Sequence, residues 1–247
     1  SYEYQDLEYP DDCIVDFDMR LIDLFKEMDK KKLTLKMQIR QEYYRVKELL
    51  DGKRPSRMGL FTYMDDEIYR ICVSGSHAKE NPFQHYLDFL YELGELSEDE
   101  QKLYAGIGRE FIQTIETTEM QKVYKMPILY SFYNHGNIRL AVTDEEVLES
   151  WKEFFDTGTN WKDFPNVNTY EDYKKVTDKQ HLSKAKRMPI RFLKASGKGF
   201  FVEKDGYALA LRDEIGDVVG NMAFGEQMGD VLGYRSLEYY RRRYEKK

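Results

Sequence analysis

Cysteine is scarce: Cys13 and Cys72 are the only two in 247 residues, too few and too far apart for a disulfide framework or a Cys-x-x-Cys metal site. Both read as reduced, largely structural thiols. No uninterrupted apolar run approaches the ~18 residues that span a bilayer, and no basic start leads into an apolar stretch at the N-terminus. A soluble, cytoplasmic protein with no membrane partner is the expectation. Phosphate-binding loops are missing as well. Ala195-Ser196-Gly197-Lys198-Gly199 has glycine and lysine without the GxxxxGK[ST] spacing, and Gly106-x-Gly108 lacks the third glycine of a dinucleotide loop. ATP hydrolysis by this segment alone is not expected, no residue of it is assigned a catalytic role, and no cofactor is expected in it.

What is present argues for a folded chain. Charged residues reach 34%, but 41% hydrophobic and 15% aromatic content is too much for a solvating linker. The length accommodates one large domain or two or three small ones. The net charge of −7 is unevenly spread: Glu3, Asp6, Glu8, Asp11, Asp12, Asp16 and Asp18 meet no base in the first 18 residues. Beginning at Ser1 rather than Met, residues 1–18 read as an acidic connector into a piece of a longer protein, a cleaved native start being the alternative.

Helical spacing dominates the first half. Phe17, Leu21, Leu24 and Met28 form one stripe and Leu35, Ile39, Tyr43, Val46 and Leu50 another. Gly52 and Pro55 end the second, and Ser56 is placed to cap a short helix through Met58, Leu60 and Tyr63. After Gly75, Phe83, Leu87 and Leu90 mark a further helix. Ser97 with Glu100 has capping-box spacing and opens one helix carrying Leu103, Ile107, Phe111 and Ile115.

The second half mixes periods. Thr118 with Gln121 is a second capping-box pair, introducing the apolar segment 126–133, which stops at Asn134-His135-Gly136. Ile138, Leu140 and Val142 alternate as a short strand over 137–143. Asp144 is read as the cap of a helix through Val147, Trp151 and Phe155, residues 156–168 as a loop, and 170–194 as helical again. Two β-rich arms flank Lys204-Asp205-Gly206, a hairpin in which Asp-Gly suits positive φ. Helix returns for about the last 25 residues. Met126-Pro127-Ile128 recurs as Met188-Pro189-Ile190, each after a base, which is too short to argue for duplication.

Helix, strand, helix, helix, strand, strand is the order of a winged helix-turn-helix. The expected fold is therefore mainly α: an all-helical subdomain over 19–116, then a winged-helix-like α/β subdomain over 117–247 with one β-hairpin and a C-terminal helix. In such a fold the third helix can enter the major groove while the wing touches phosphates. Winged-helix modules also serve as protein-interaction domains.

Charge clusters sharpen this expectation. Residues 26–57 hold eleven bases against five acids, with Lys36, Arg40, Tyr44 and Lys47 on one helix face. Residues 184–204 hold seven bases, Lys184, Lys186, Arg187, Arg191, Lys194, Lys198 and Lys204, against Glu203 alone, over the presumed third helix and the near arm of the wing. Arg235, Arg242 and Lys246 form a third stripe beside Tyr239. Bases so placed can contact phosphates, and the tyrosines can stack on exposed nucleobases. Solvated helix faces are the competing reading. His77, Glu80, His85 and Asp88 include a His-Asp pair one helical turn apart, which leaves a metal-dependent nuclease open.

Four segments resemble the region C-terminal to the motor in certain bacterial superfamily-two DEAD/DEAH-box helicases, a type often carrying an N-terminal phospholipase-D-like nuclease domain. They are YYRVKELLDGKRPSRMGLFTYMDD from Tyr43, NPFQHYLDFLYELGEL from Asn81, TTEMQKVYKMPILYSFY from Thr117 and the closing VLGYRSLEYYRRRY. The resemblance implies a non-catalytic nucleic-acid-binding or regulatory accessory region of an ATP-dependent DNA helicase used in phage defence, restriction or repair. ATP and Mg would belong to the parent motor. The expected partners are nucleic acid, chiefly duplex DNA, and the helicase core of the same chain, with an interaction or oligomerisation module as the alternative.

Overall fold

The computed structural model describes residues 34–244. The acidic connector at 1–18, the helix expected through Phe17 and Met28, Cys13 and Lys246 lie outside the described residues. Helix α1 (Leu35–Leu49) buries Ile39, Tyr43 and Val46 from its stripe and ends at Asp51-Gly52, both at positive φ. Ser56 caps α2 (Arg57–Tyr63) by accepting from the Gly59 amide at 3.1 Å. Asp65 caps α3 (Asp66–Cys72), which has no counterpart in the sequence reading because seven residues are too few for a stripe to register. Helix α4 (Tyr86–Leu93) follows a short turn at Pro82–Gln84.

Where one long helix is expected after Ser97 there are two, α5 (Glu98–Tyr104) and α6 (Ile107–Thr117). The Ser97–Glu100 capping box forms, but Gly106 is fully extended and interrupts the run. Thr118 and Gln121 form no box: the chain stays irregular until α7 (Lys125–Tyr133), and Thr118 Oγ1 accepts from the Lys125 ammonium instead. The strand expected over 137–143 shrinks to β1 (Ala141–Val142), since the Asn137 and Arg139 amides donate back to Asn134 and Phe132. Helix α8 (Asp144–Asp156) is capped by Thr143 in a capping box with Glu146, not by Asp144.

The helical stretch over 170–194 is divided. After α9 (Tyr170–Lys174), a Thr177–Gln180 capping box opens α10 (Asp178–Ala185), which runs through a wide π turn (Lys186–Ile190) into α11 (Arg191–Ser196). Pro189 explains the wide turn: without an N–H and with a ring against the preceding turn, it cannot hold regular α geometry. Gly197 follows the element at a place with no room for a side chain: a Cβ there would lie 2.3 Å from the Phe201 ring and 2.5 Å from the Leu193 carbonyl oxygen. The hairpin pairs β2 (Phe201–Val202) with β3 (Leu209–Leu211) in the register Phe201 with Leu211. Gly206, at φ +81°, makes its turn. Strand β3 also pairs antiparallel with β1, giving the sheet order β1-β3-β2. Helix α12 (Met222–Tyr244) closes the chain.

The molecule is mainly α, with one small antiparallel sheet, one hairpin and a C-terminal helix. Its larger core gathers Phe111, Phe132, Trp151, Phe155, Phe200 and Phe224 from α6, α7, α8, the sheet region and α12. The smaller holds Ile39, Tyr43, Leu60, Phe83, Tyr86 and Leu90. Helix α12 serves both: Met228 and Leu232 enter the larger core, while Tyr234 stacks on Phe83 in the smaller at 4.8 Å between ring centres. Such pairs contribute about 0.5–1.5 kcal/mol beyond their burial.

Candidate nucleic-acid interface

Helices α7 and α8, the α10–α11 element and the hairpin follow one another in winged-helix order, with β3 at the centre of the sheet. Residues 157–177 form a long insertion where a tight helix-turn-helix has a turn of roughly three or four residues. The α10–α11 element buries His181, Ala185, Ile190 and Leu193 and exposes Lys186, Arg187, Arg191 and Lys194. Its inner side packs on α8, and ion pairs Lys152–Asp178 at 2.8 Å and Lys186–Asp144 at 2.6 Å bridge the two at the surface.

The seven bases of residues 184–204 divide by what they touch. Lys186 pairs with Asp144, and Lys194 pairs with Glu203 on the wing. Exposed pairs of this kind contribute ~0–1 kcal/mol, so they tether side chains more than they stabilise the fold. Lys184 and Arg187 line a cleft of about 560 Å³ together with Lys175 and Lys179. The acid there is Asp172, 3.8 Å from Lys175. Arg191 lies 6.0 Å from the centre of the Phe192 ring, and Lys204 lies 5.5 Å from that of Tyr207 at the wing tip. Among the described residues no carboxylate lies within 4.0 Å of Lys184, Arg187, Arg191, Lys198 or Lys204.

The other clusters are engaged differently. Lys36 pairs with Glu92 at 2.6 Å and Lys47 with Glu95 at 2.7 Å, fastening α1 to α4 and its exit, while Arg40 and Tyr44 face solvent. Arg235 is buried and donates to the Thr118 carbonyl, Arg242 pairs with Glu238, and Tyr239 is only 5% exposed. Arg235 and Tyr239 therefore pack inward, while Arg242 stays exposed beside Glu238. His85 Nδ1 meets the Gln113 amide at 2.7 Å and Asp88 pairs with Arg109 at 2.6 Å. Among the described residues no group of three or more His, Cys, Asp or Glu is arranged to hold a metal, and no helix is long and apolar enough to cross a membrane.

The segment Gly52-Lys53-Arg54-Pro55-Ser56-Arg57 turns out to be an internal clamp. Arg57 is 0% exposed. Its Nε and Nη2 donate to Glu116 Oε1 at 2.9 and 2.6 Å, and Nη1 donates to Gln227 Oε1 at 2.6 Å and to Asp230 Oδ2 at 3.2 Å. Burial opposes its charge, but Glu116 and Asp230 more than offset that and hold its pKa above the usual arginine value. Arg54 forks onto Glu100, whose pKa is raised by burial but lowered further by Arg54, the Ser97 amide and Gln227, for a net downward shift. The clamp joins α2, α6 and α12, and so the two cores.

Lys175 and Lys179 do not stand out in the sequence, because neighbouring acids cancel them in a local charge count. Nor does Lys125, where Lys125-Met126-Pro127 looks apolar in context. A comparison with known protein families, curated proteins and solved structures finds no match to this chain.

Proposed function

We propose that this chain is a nucleic-acid-binding module that engages duplex DNA through α10–α11 and the wing, as an accessory region of an ATP-dependent helicase. The carrying observation is the coincidence of two independent features. The helix that a winged-helix order assigns to the major groove bears the unpaired cations Lys184, Arg187 and Arg191, and the hairpin beside it bears Lys204. A groove about 12 Å wide admits such a helix in B-form DNA, whereas A-form RNA closes that groove to side chains. Lys175 and Lys179, on the insertion and the start of α10, extend the cationic surface. The helicase context rests on the sequence resemblance, and the acidic remainder of the molecule suits a protein that avoids indiscriminate polyanion binding.

The test is fluorescence anisotropy of the full chain with a labelled duplex. Binding at low salt that Lys184→Glu with Arg187→Glu weakens at least about tenfold is the expected result. No binding at low salt, or an unaffected double variant, removes the proposal.

A further inference from the structure

A second cleft, of about 390 Å³, opens where the segment before α7 faces the π turn and α11. Thr118, Lys125, Met188, Phe192, Ser196 and Lys198 are among the residues that line it. Lys125 is the unusual member. It is only 9% exposed, and its ammonium donates to two hydroxyls of the cleft wall, Thr118 Oγ1 at 2.9 Å and Ser196 Oγ at 3.4 Å. No carboxylate among the described residues lies within 4.0 Å of it. An ammonium has three donors, and the third has no acceptor among the described residues. Burying a charge with neutral partners alone is costly, and the cost falls when an anion settles against it. Burial pulls the Lys125 pKa below the usual lysine value, with Glu119 opposing and Arg235 reinforcing that shift.

The walls specify the rest of the ligand. Lys198 stands at the cleft in a left-handed conformation, φ +49°, that side chains rarely adopt, and has no acidic partner among the described residues. Lys122 adds a third cation, 4.0 Å from Asp163, while Glu119 is the one acid among the lining residues. Met188 and Phe192 are 40% and 47% exposed on the opposite wall. Large apolar side chains beside clustered cations and hydroxyls match a ligand with a charged head and a flat apolar body.

We propose that this cleft binds a phosphomonoester carrying a flat apolar group, the chemistry of a nucleotide. Lys125 and Thr118 take the phosphate, Lys198 closes over it, and Met188 and Phe192 pack on the base, while the Ser196 hydroxyl, which donates to the Phe192 carbonyl at 2.7 Å, steadies the wall. A free mononucleotide and the 5′-phosphorylated end of a strand share this chemistry. The site is centred on Lys125 and Thr118, outside the α10–α11 element that carries the duplex surface, and its phosphate dependence is measured apart from duplex affinity.

Isothermal titration of the full chain with AMP, adenosine, inorganic phosphate, and a short single strand with and without a 5′-phosphate tests the proposal. AMP or the phosphorylated strand binding at least about tenfold tighter than adenosine and the unphosphorylated strand is the expected result, and whichever of the two is tighter identifies the source. Lys125→Met and Thr118→Val should each weaken that binding while leaving duplex affinity unchanged, with circular dichroism confirming the fold. Neither probe binding, equal affinity with and without phosphate, or wild-type affinity in folded Lys125→Met would overturn it.

Discussion

Without the Arg57 guanidinium, Glu116 and Asp230 would each lose the ion-pair partner they share. Removing one partner from a buried, hydrogen-bonded ion cluster costs about 3–5 kcal/mol. Arg57→Met should therefore lower the denaturation free energy by about that amount in urea titration, and Lys53→Met, on the exposed turn two residues before Pro55, should leave it unchanged. His181 supplies a pH-dependent counterpart. It is buried between the Phe164 and Tyr173 rings, its Nδ1 has no hydrogen-bond partner, and burial, with Lys152 adding to it, holds its pKa below the ordinary imidazole value. As pH falls through roughly 6.5, the unfolded chain takes up a proton that the folded chain refuses, so stability drops until the folded pKa is reached. Melting temperatures recorded from pH 7.5 downward should show that fall, and His181→Leu should flatten it. Asp163, whose pKa burial raises, titrates with the opposite sign and is common to both proteins.

At the scale of elements, local chemistry was legible in the sequence and tertiary chemistry was not. The caps at Ser56 and Ser97 and the Gly206 turn are visible because each needs residues no more than three apart. The Thr118–Gln121 pair has the same spacing and fails, because Thr118 is bonded to Lys125 and to the buried Arg235, the latter 117 residues away in sequence. The break at Gly106 and the wide turn at Pro189 are signalled by residue type, but at Gly106 the apolar stripe from Leu103 to Ile115 masks the signal, and at Pro189 the surrounding helical run does. At Gly197 the end of α11 lies close against the hairpin's Phe201. Gly197→Ala must displace the Phe201 ring or the Leu193 carbonyl, which costs about 1–3 kcal/mol by overpacking, and should lower the melting temperature and disturb the wing. Gly199→Ala meets no atom within 4 Å, and its cost comes from backbone φ alone.

For the whole molecule, a net charge of −7 hides a segregated surface. The candidate site was legible as a density of bases over 184–204, but which of them are free was not. Lys186 finds Asp144 across 42 residues, while the near-neutral run holding Lys175 and Lys179 is brought beside Lys184 and Arg187 by the insertion. Lys36 and Lys47 of α1 are spent on α4 and its exit, so like charges serve structure there. Duplex binding through α10–α11 therefore predicts unequal electrostatic roles for equal charges. The slope of log affinity against log salt measures this, since each phosphate contact contributes roughly −0.9. Lys184→Gln with Arg187→Gln should flatten the slope by about 2, and Lys36→Gln with Lys47→Gln should leave it unchanged. An unaltered slope in the first double variant, or a flattened one only in the second, would contradict the assignment of the interface.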